Sequence, residues 1–181
     1  MNVRNVFRGF CVAVTAVLGL TVMAPSSMAS PSDTAKLTAA GFDVETLKPG
    51  WSLVGDELWW DNGAVRQTIE PSAEAAGCPA GYVCFFSGPD LTGYGIAFAT
   101  KGKFIFLPEY QMVGSTSWND QMSSWINATG FDARWYFNVS TPNTIRCMDG
   151  SHGVSGKEHL PAADDNQASA LYIYTRTTVC S

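Results

Sequence analysis

Apolar residues along this chain come in short bursts set between clusters of Gly, Pro, Asn, Asp and Ser. Residues 52–54, 57–60 and 64–68 read as strands, and Asp61-Asn62-Gly63 between the last two is a tight-turn signal. From residue 78 on, the bursts at 82–86, 95–100, 103–107, 123–127, 134–139, 144–148 and 171–178 continue the series. Helical periodicity is nearly absent; only residues 44–47 suggest a short helix. Many short strands broken by turn residues predict an all-β sandwich or barrel.

The pattern repeats itself. Leu107-Pro108-Glu109 leads through a loop to Asn119-Asp120-Gln121-Met122-Ser123-Ser124-Trp125-Ile126. Later, Leu160-Pro161-Ala162 leads to Asp165-Asn166-Gln167-Ala168-Ser169-Ala170-Leu171-Tyr172. Both halves run Leu-Pro, loop, two Asn/Asp residues, Gln, one residue, Ser, then a strand. Two such halves of roughly four strands each suit paired Greek keys.

The longest apolar run, residues 10–24, follows Arg4 and Arg8 and precedes Ser27-Met28-Ala29. That order is the order of a secretory signal, so residues 1–29 are expected to be removed and the protein to be secreted and extracellular. The run is short for a membrane span, which takes about 20 residues. Removing Arg4 and Arg8 from the 11 Lys and Arg leaves nine against 16 Asp and Glu, a balance of about −7. Nothing resembles a basic stripe, which argues against nucleic acid. No membrane association is expected after the signal is cut, and a monomer is expected. Four cysteines remain beyond the signal: Cys78, Cys84, Cys147 and Cys180. An even count in an exported chain reads as two disulfides. Three pairings are open; spacing favours Cys78–Cys84 and Cys147–Cys180.

Three features carry a resemblance. Cys78-Pro79-Ala80-Gly81-Tyr82-Val83-Cys84 looks like an opening Cys-Pro-x-Gly…Cys motif. Phe86, Leu91 and Gly93 follow an aromatic, four residues, aromatic, one residue, Gly pattern, with Leu91 in the second aromatic place. Asn119-Asp120-Gln121-Met122-Ser123-Ser124 follows a pattern of two Asn/Asp, two variable residues, Ser/Thr, Ser. Together these resemble the βγ-crystallin fold and, within it, the secreted bacterial peptidase inhibitor family I36. The resemblance implies a βγ-crystallin-like double Greek-key β-sandwich over residues 78–181. Residues 30–77 precede it as an N-terminal extension and linker, expected to form a short β-hairpin.

The resemblance also implies calcium. Asn119, Asp120, Gln121 and Ser123 of the first repeat, with Asp165, Asn166 and Ser169 of the second, are the candidate ligands, because Ca²⁺ takes 6–8 oxygens. In the resembling fold each site draws ligands from both repeats, and Ala170 stands where the final Ser of that motif would be, which implies that one site is degraded or that both are weak. The competing reading is that these side chains only make turn hydrogen bonds before a strand.

Familiar catalytic patterns are missing. The chain has two histidines, His152 and His159, and no His-Glu-x-x-His, paired Cys-x-x-Cys or Gly-x-Ser-x-Gly. Asp164 and Asp165 are adjacent, not placed across a substrate as a glycosidase requires. The six tryptophans could bind sugar by stacking or fill a core. Asn127-Ala128-Thr129 and Asn138-Val139-Ser140 match glycosylation acceptors. The expected function is therefore non-enzymatic: a secreted peptidase inhibitor, with extracellular metalloproteases implied as partners, acting by loop insertion. The alternative is a non-inhibitory calcium-binding or cell-surface module. Residues 113–118 and 149–156 are the candidate loops. In the second, Asp149, Gly150, Ser151, His152 and Gly153 are the expected inhibitory segment.

Overall fold

The computed structural model describes residues 30–139, 145–150, 155–157 and 159–180. The expected signal lies outside them. Eleven strands form two antiparallel sheets. Strands β1 (Ser52–Val54), β2 (Glu57–Trp60) and β3 (Val65–Thr68) come from the extension. Strands β4 (Val83–Phe86), β5 (Gly95–Phe98), β6 (Phe104–Phe106) and β7 (Ser124–Asn127) form the first repeat. The second repeat has β8 (Ala133–Tyr136), β9 (Ile145–Met148), β10 (Ser155–Lys157) and β11 (Ala170–Ile173).

The larger sheet runs β1-β2-β3-β5-β4-β7-β10 and the smaller β6-β11-β8-β9. Each repeat keeps its first, second and fourth strands together and sends its third to the other sheet. The expected double Greek-key β-sandwich is thus the architecture found. The two Leu-Pro segments close it reciprocally. Leu107 N–H donates to Ser169 O at 3.0 Å, and Leu160 N–H donates to Ser123 O at 3.2 Å. These are the same bond made by equivalent residues of the two halves.

Side chains facing inward from both sheets make one core. It joins Val83, Phe85, Phe98 and Trp125 of the larger sheet to Ile105, Trp135, Leu171 and Ile173 of the smaller. Trp118, Trp125 and Trp135 are buried, as core packing of the tryptophans requires. The neighbours Trp59 and Trp60 separate by strand alternation. Trp60 is buried, while Trp59 lies on the outer face under the Arg66 guanidinium, 4.2 Å from the ring centre.

The extension does more than form a hairpin. β3 pairs with β5, so the hairpin continues the larger sheet. Its one helix, α1, spans Pro31–Ala39 and not residues 44–47. Ser30 Oγ accepts from Asp33 N–H at 3.2 Å, and the Asp33 carboxylate accepts from Ser30 N–H at 3.3 Å. With Pro31 in the first turn, this reciprocal cap fixes the start. Around residues 44–47 the Asp43 side chain accepts from Glu45 N–H, holding a turn instead. Leu37, Phe42, Leu47, Leu58 and Trp60 enter the common core. A chain of edge-to-face rings, Trp60–Tyr110–Phe98–Phe85 with centroids 5.5, 5.6 and 5.9 Å apart, ties extension to sandwich. Trp60→Ala is therefore expected to cost about 3–5 kcal/mol of the stability of the whole fold. Urea denaturation followed by Trp fluorescence and by far-UV circular dichroism should show one shifted, coincident transition. Loss of the extension's signal alone would mean that it unfolds independently.

Candidate functional site

Two regions bring the sequence-predicted residues into contact: the seam between the repeats and the foot of the 149–156 loop.

At the seam, the two Asn/Asp-containing segments meet back to back. Asp120 N–H donates to Ala168 O at 2.9 Å, and Asn166 N–H donates to Met122 O at 3.0 Å. Asp120 and Asn166 both hold left-handed backbone, with φ of 57° and 54°. Asn and Asp tolerate that region better than most residues, which accounts for their presence at these equivalent positions. The Ser169 hydroxyl lies 3.2 Å from Asp120 Oδ1 and 3.0 Å from Phe137 O. Asn119 Nδ2 donates to the other Asp120 oxygen at 2.7 Å. Gln121 reaches only the Asn119 carbonyl, and Ser123 is buried. In the second repeat Asn166 Nδ2 donates to Asp165 Oδ2 at 3.3 Å, while Asp165 Oδ1 is buried without a hydrogen-bond partner. The seam thus gathers Asp120 and Ser169 from opposite repeats.

The final Ser of the first motif has another task. Ser124 Oγ donates to Gly88 O at 2.7 Å and accepts from Leu91 N–H at 3.1 Å. It pins the folded connection between β4 and β5, where Gly93 adopts a φ of 80°. A Cβ on Gly93 would sit 2.5 Å from Ser87 Oγ and 2.9 Å from Gly88 N. Ala170, at the equivalent position of the second repeat, has no hydroxyl to make such a hairpin hydrogen bond.

The 149–156 loop starts on the smaller sheet, after β9, and ends on the larger, at β10. Its first foot rests on Asp132, which is wholly buried. The Asp132 carboxylate accepts from Gly150 N–H at 3.0 Å, Val179 N–H at 2.7 Å and Cys180 N–H at 2.9 Å. Burial pushes its pKa up, but these three backbone donors outweigh it and hold the carboxyl below its usual range. Gly150 is pressed against the chain: a Cβ there would lie 2.2 Å from Phe131 O. Asn127 Nδ2 donates to Phe131 O at 2.8 Å and Met148 O at 2.9 Å. That buried amide is fully engaged, so the Asn127 acceptor motif is a structural turn and no glycosylation site. Ser155 Oγ bonds Asp149 O across the loop, and β10 pairs with β7 at the second foot. Ser151, His152 and Gly153 lie outside the described residues. The disulfides are Cys78–Cys84 and Cys147–Cys180, and the second joins the strand before the loop to the C-terminal segment.

The other candidate loop is not free. Gly114 N–H donates to Gly41 O at 3.0 Å, and Trp118 is buried in the core. Residues 113–118 are held against the extension. Sequence reasoning missed Asp132 and Asn127. Their only signal was the Asn-Ala-Thr-Gly-Phe-Asp run between two strands, which reads as an ordinary turn.

Comparison with known proteins bears on this geometry. Residues 71–148 match the model of peptidase inhibitor family I36. The I36 match takes in β4 to β9, with the Cys78–Cys84 loop and the seam's first half. It leaves the extension before residue 71 and everything after Met148 outside. No curated protein matches the chain. A solved structure described as "Evolution of the eye lens beta-gamma-crystallin domain fold" is similar, with a TM-score of 0.45 at 14% identity over 60% of this chain and 95% of that one.

Asp132 gives a pH test with a definite sign. Its folded pKa is depressed, so its stabilisation is present above the usual carboxylate range and is lost as pH falls through the folded value. Asp132→Asn replaces one acceptor by a donor facing backbone N–H groups and is expected to cost about 2 kcal/mol or more at pH 7. Urea midpoints of the two proteins should converge as pH is lowered from 6 towards about 3. A gap that stays constant over that range would remove the carboxylate from the account.

Proposed function

We propose that this protein is an extracellular peptidase inhibitor that places the 149–156 loop in the active-site cleft of a metalloprotease. The observation that carries the reading is the match of residues 71–148 to an inhibitor family, on a scaffold that holds this loop at both feet. An inhibitory loop must be rigid before it binds, because order imposed on binding subtracts from affinity. Here a disulfide, a buried carboxylate and a pair of strands anchor the two described ends, residues 149–150 and 155–157. The two disulfides and the leader-like N-terminus favour an oxidising, extracellular setting. The test is to mix the purified protein, from residue 30 on, with a thermolysin-like metalloprotease and a subtilisin-like serine protease. Tight inhibition of the first is expected. Full activity of both at micromolar inhibitor would end the reading for those classes.

A calcium role is a second, compatible reading, favoured by the meeting of Asp120 and Ser169 from opposite repeats and by the orphaned Asp165 oxygen. Calcium here would bind through carboxylate, hydroxyl and carbonyl oxygens and tie the repeats together. Melting should then rise by several degrees at millimolar Ca²⁺, and Asp120→Ala should abolish the rise. An unchanged melting temperature would leave the seam as turn chemistry alone.

A further inference from the structure

The two sheets differ on their outer faces. That of the larger sheet is strapped by the linker: Ser72 and Gly93 exchange backbone hydrogen bonds at 2.8 and 2.7 Å, and Ala76 N–H donates to Leu91 O at 2.8 Å. On the smaller sheet the C-terminal segment lies over the β8–β9 side, where Cys180 is bonded to Cys147 and Arg134 Nη2 donates to Val179 O at 2.6 Å, while Phe104 and Phe106 on β6 stay exposed. Among the described residues, four large hydrophobic side chains are exposed, and three of them, Phe104, Phe106 and Val139 at 38–44%, gather on this second face.

Strand register turns these residues into a continuous track. Phe104 pairs with Tyr172, Tyr172 with Arg134, and Arg134 with Cys147. Directly paired residues share a face, so this row crosses the sheet from the β6 edge to the strand that feeds the candidate loop. Its rings touch: Phe104 lies 5.1 Å from Tyr172 and 6.1 Å from Phe106, the latter pair stacked at 10°. No outward position on the four strands is acidic. Arg134 lies in the row with its Nη2 held on Val179 O, and Lys103 is exposed at the head of β6.

A specific inhibitor complex engages about 20–30 residues a side, and a loop of about eight residues cannot supply that area alone. Added contact has to come from surface continuous with the loop, and interfaces favour aromatic residues and Arg. The geometry points to the outer face of the smaller sheet as a second contact surface for the same protease, meeting an apolar, carboxylate-bearing rim beside its cleft. This rests on the inhibitor reading above.

The test compares the wild-type protein with Phe104→Ser/Phe106→Ser, Lys103→Glu and Val54→Ser, using the thermolysin-like enzyme as probe. Val54, on β1 of the other sheet, is the remaining exposed large hydrophobic and serves as control. The double variant is expected to weaken inhibition about 10- to 100-fold, mainly through faster dissociation. Its melting temperature should fall only modestly and stay well above the assay temperature, since both side chains lie at the surface on an edge strand. Lys103→Glu should slow association at low salt, with the difference shrinking as salt is raised. Equal inhibition by the wild type and the double variant overturns the surface and leaves the loop reading standing. Equal weakening by Val54→Ser overturns it as non-specific. Unchanged association of Lys103→Glu overturns the acidic rim. A wild-type protein that inhibits neither the metalloprotease nor the subtilisin-like enzyme overturns function and surface together.

Discussion

Each repeat of this protein surrenders its third strand to the sheet built by the other. β6 closes the edge of the smaller sheet, and β10 that of the larger. Neither half can then satisfy its backbone alone, since a Greek key without its third strand leaves an open edge and an uncovered core face. The reciprocal bonds at Leu107 and Leu160, and at Asp120 and Asn166, lock the exchange on both sides of the axis. β9 and β10 belong to different sheets, so the two described ends of the 149–156 segment are anchored one on each sheet. Their separation is set by the sheet packing before any local contact is added.

The extension breaks the symmetry of this exchange. β3 extends the larger sheet at β5, the linker straps its outer face, and residues 41–48 hold the 109–114 segment. The equivalent edge of the smaller sheet is β9, which pairs with β8 and with no other described strand. One half of a pseudo-symmetric molecule is therefore covered and the other left accessible. The accessible half carries the aromatic row and the candidate loop. The same extension that buries Trp60 thus also covers the larger sheet, while Phe104 and Phe106 on the smaller sheet stay exposed.

The sandwich was legible because its signals are local or repeated. The Leu-Pro and Asn/Asp-x-x-Ser segments announce the two halves, and the bursts of apolar residues find most strands. β10 was not legible: Ser155-Gly156-Lys157 has no apolar side chain, and it is a strand only because β7 offers a backbone partner. Helix α1 was missed because its signal lies in the Ser30–Asp33 cap and not in apolar periodicity. The seam residues could be named from the repeated Asn/Asp-containing segments, but their division of labour was hidden. Ser123 and Ser124 look alike in sequence, yet strand alternation turns only Ser124 to the β4–β5 hairpin. Asp132 read as an ordinary turn residue, since its partners are backbone groups from segments 18 and 47–48 residues away.

Asp132 also shows why the foot of the loop is polar. An apolar residue there would leave three N–H groups buried without acceptors, at about 1–3 kcal/mol each. A neutral amide would satisfy fewer of them. A carboxylate accepts all three, two on one oxygen and one on the other, and needs no cation because backbone dipoles from two segments converge on it. The Cys147–Cys180 disulfide brings the same two segments together covalently, but a disulfide alone fixes separation and leaves rotation free. The hydrogen bonds fix orientation. Covalent and polar restraints therefore act on different degrees of freedom of one joint, and the loop direction is set only where both are present.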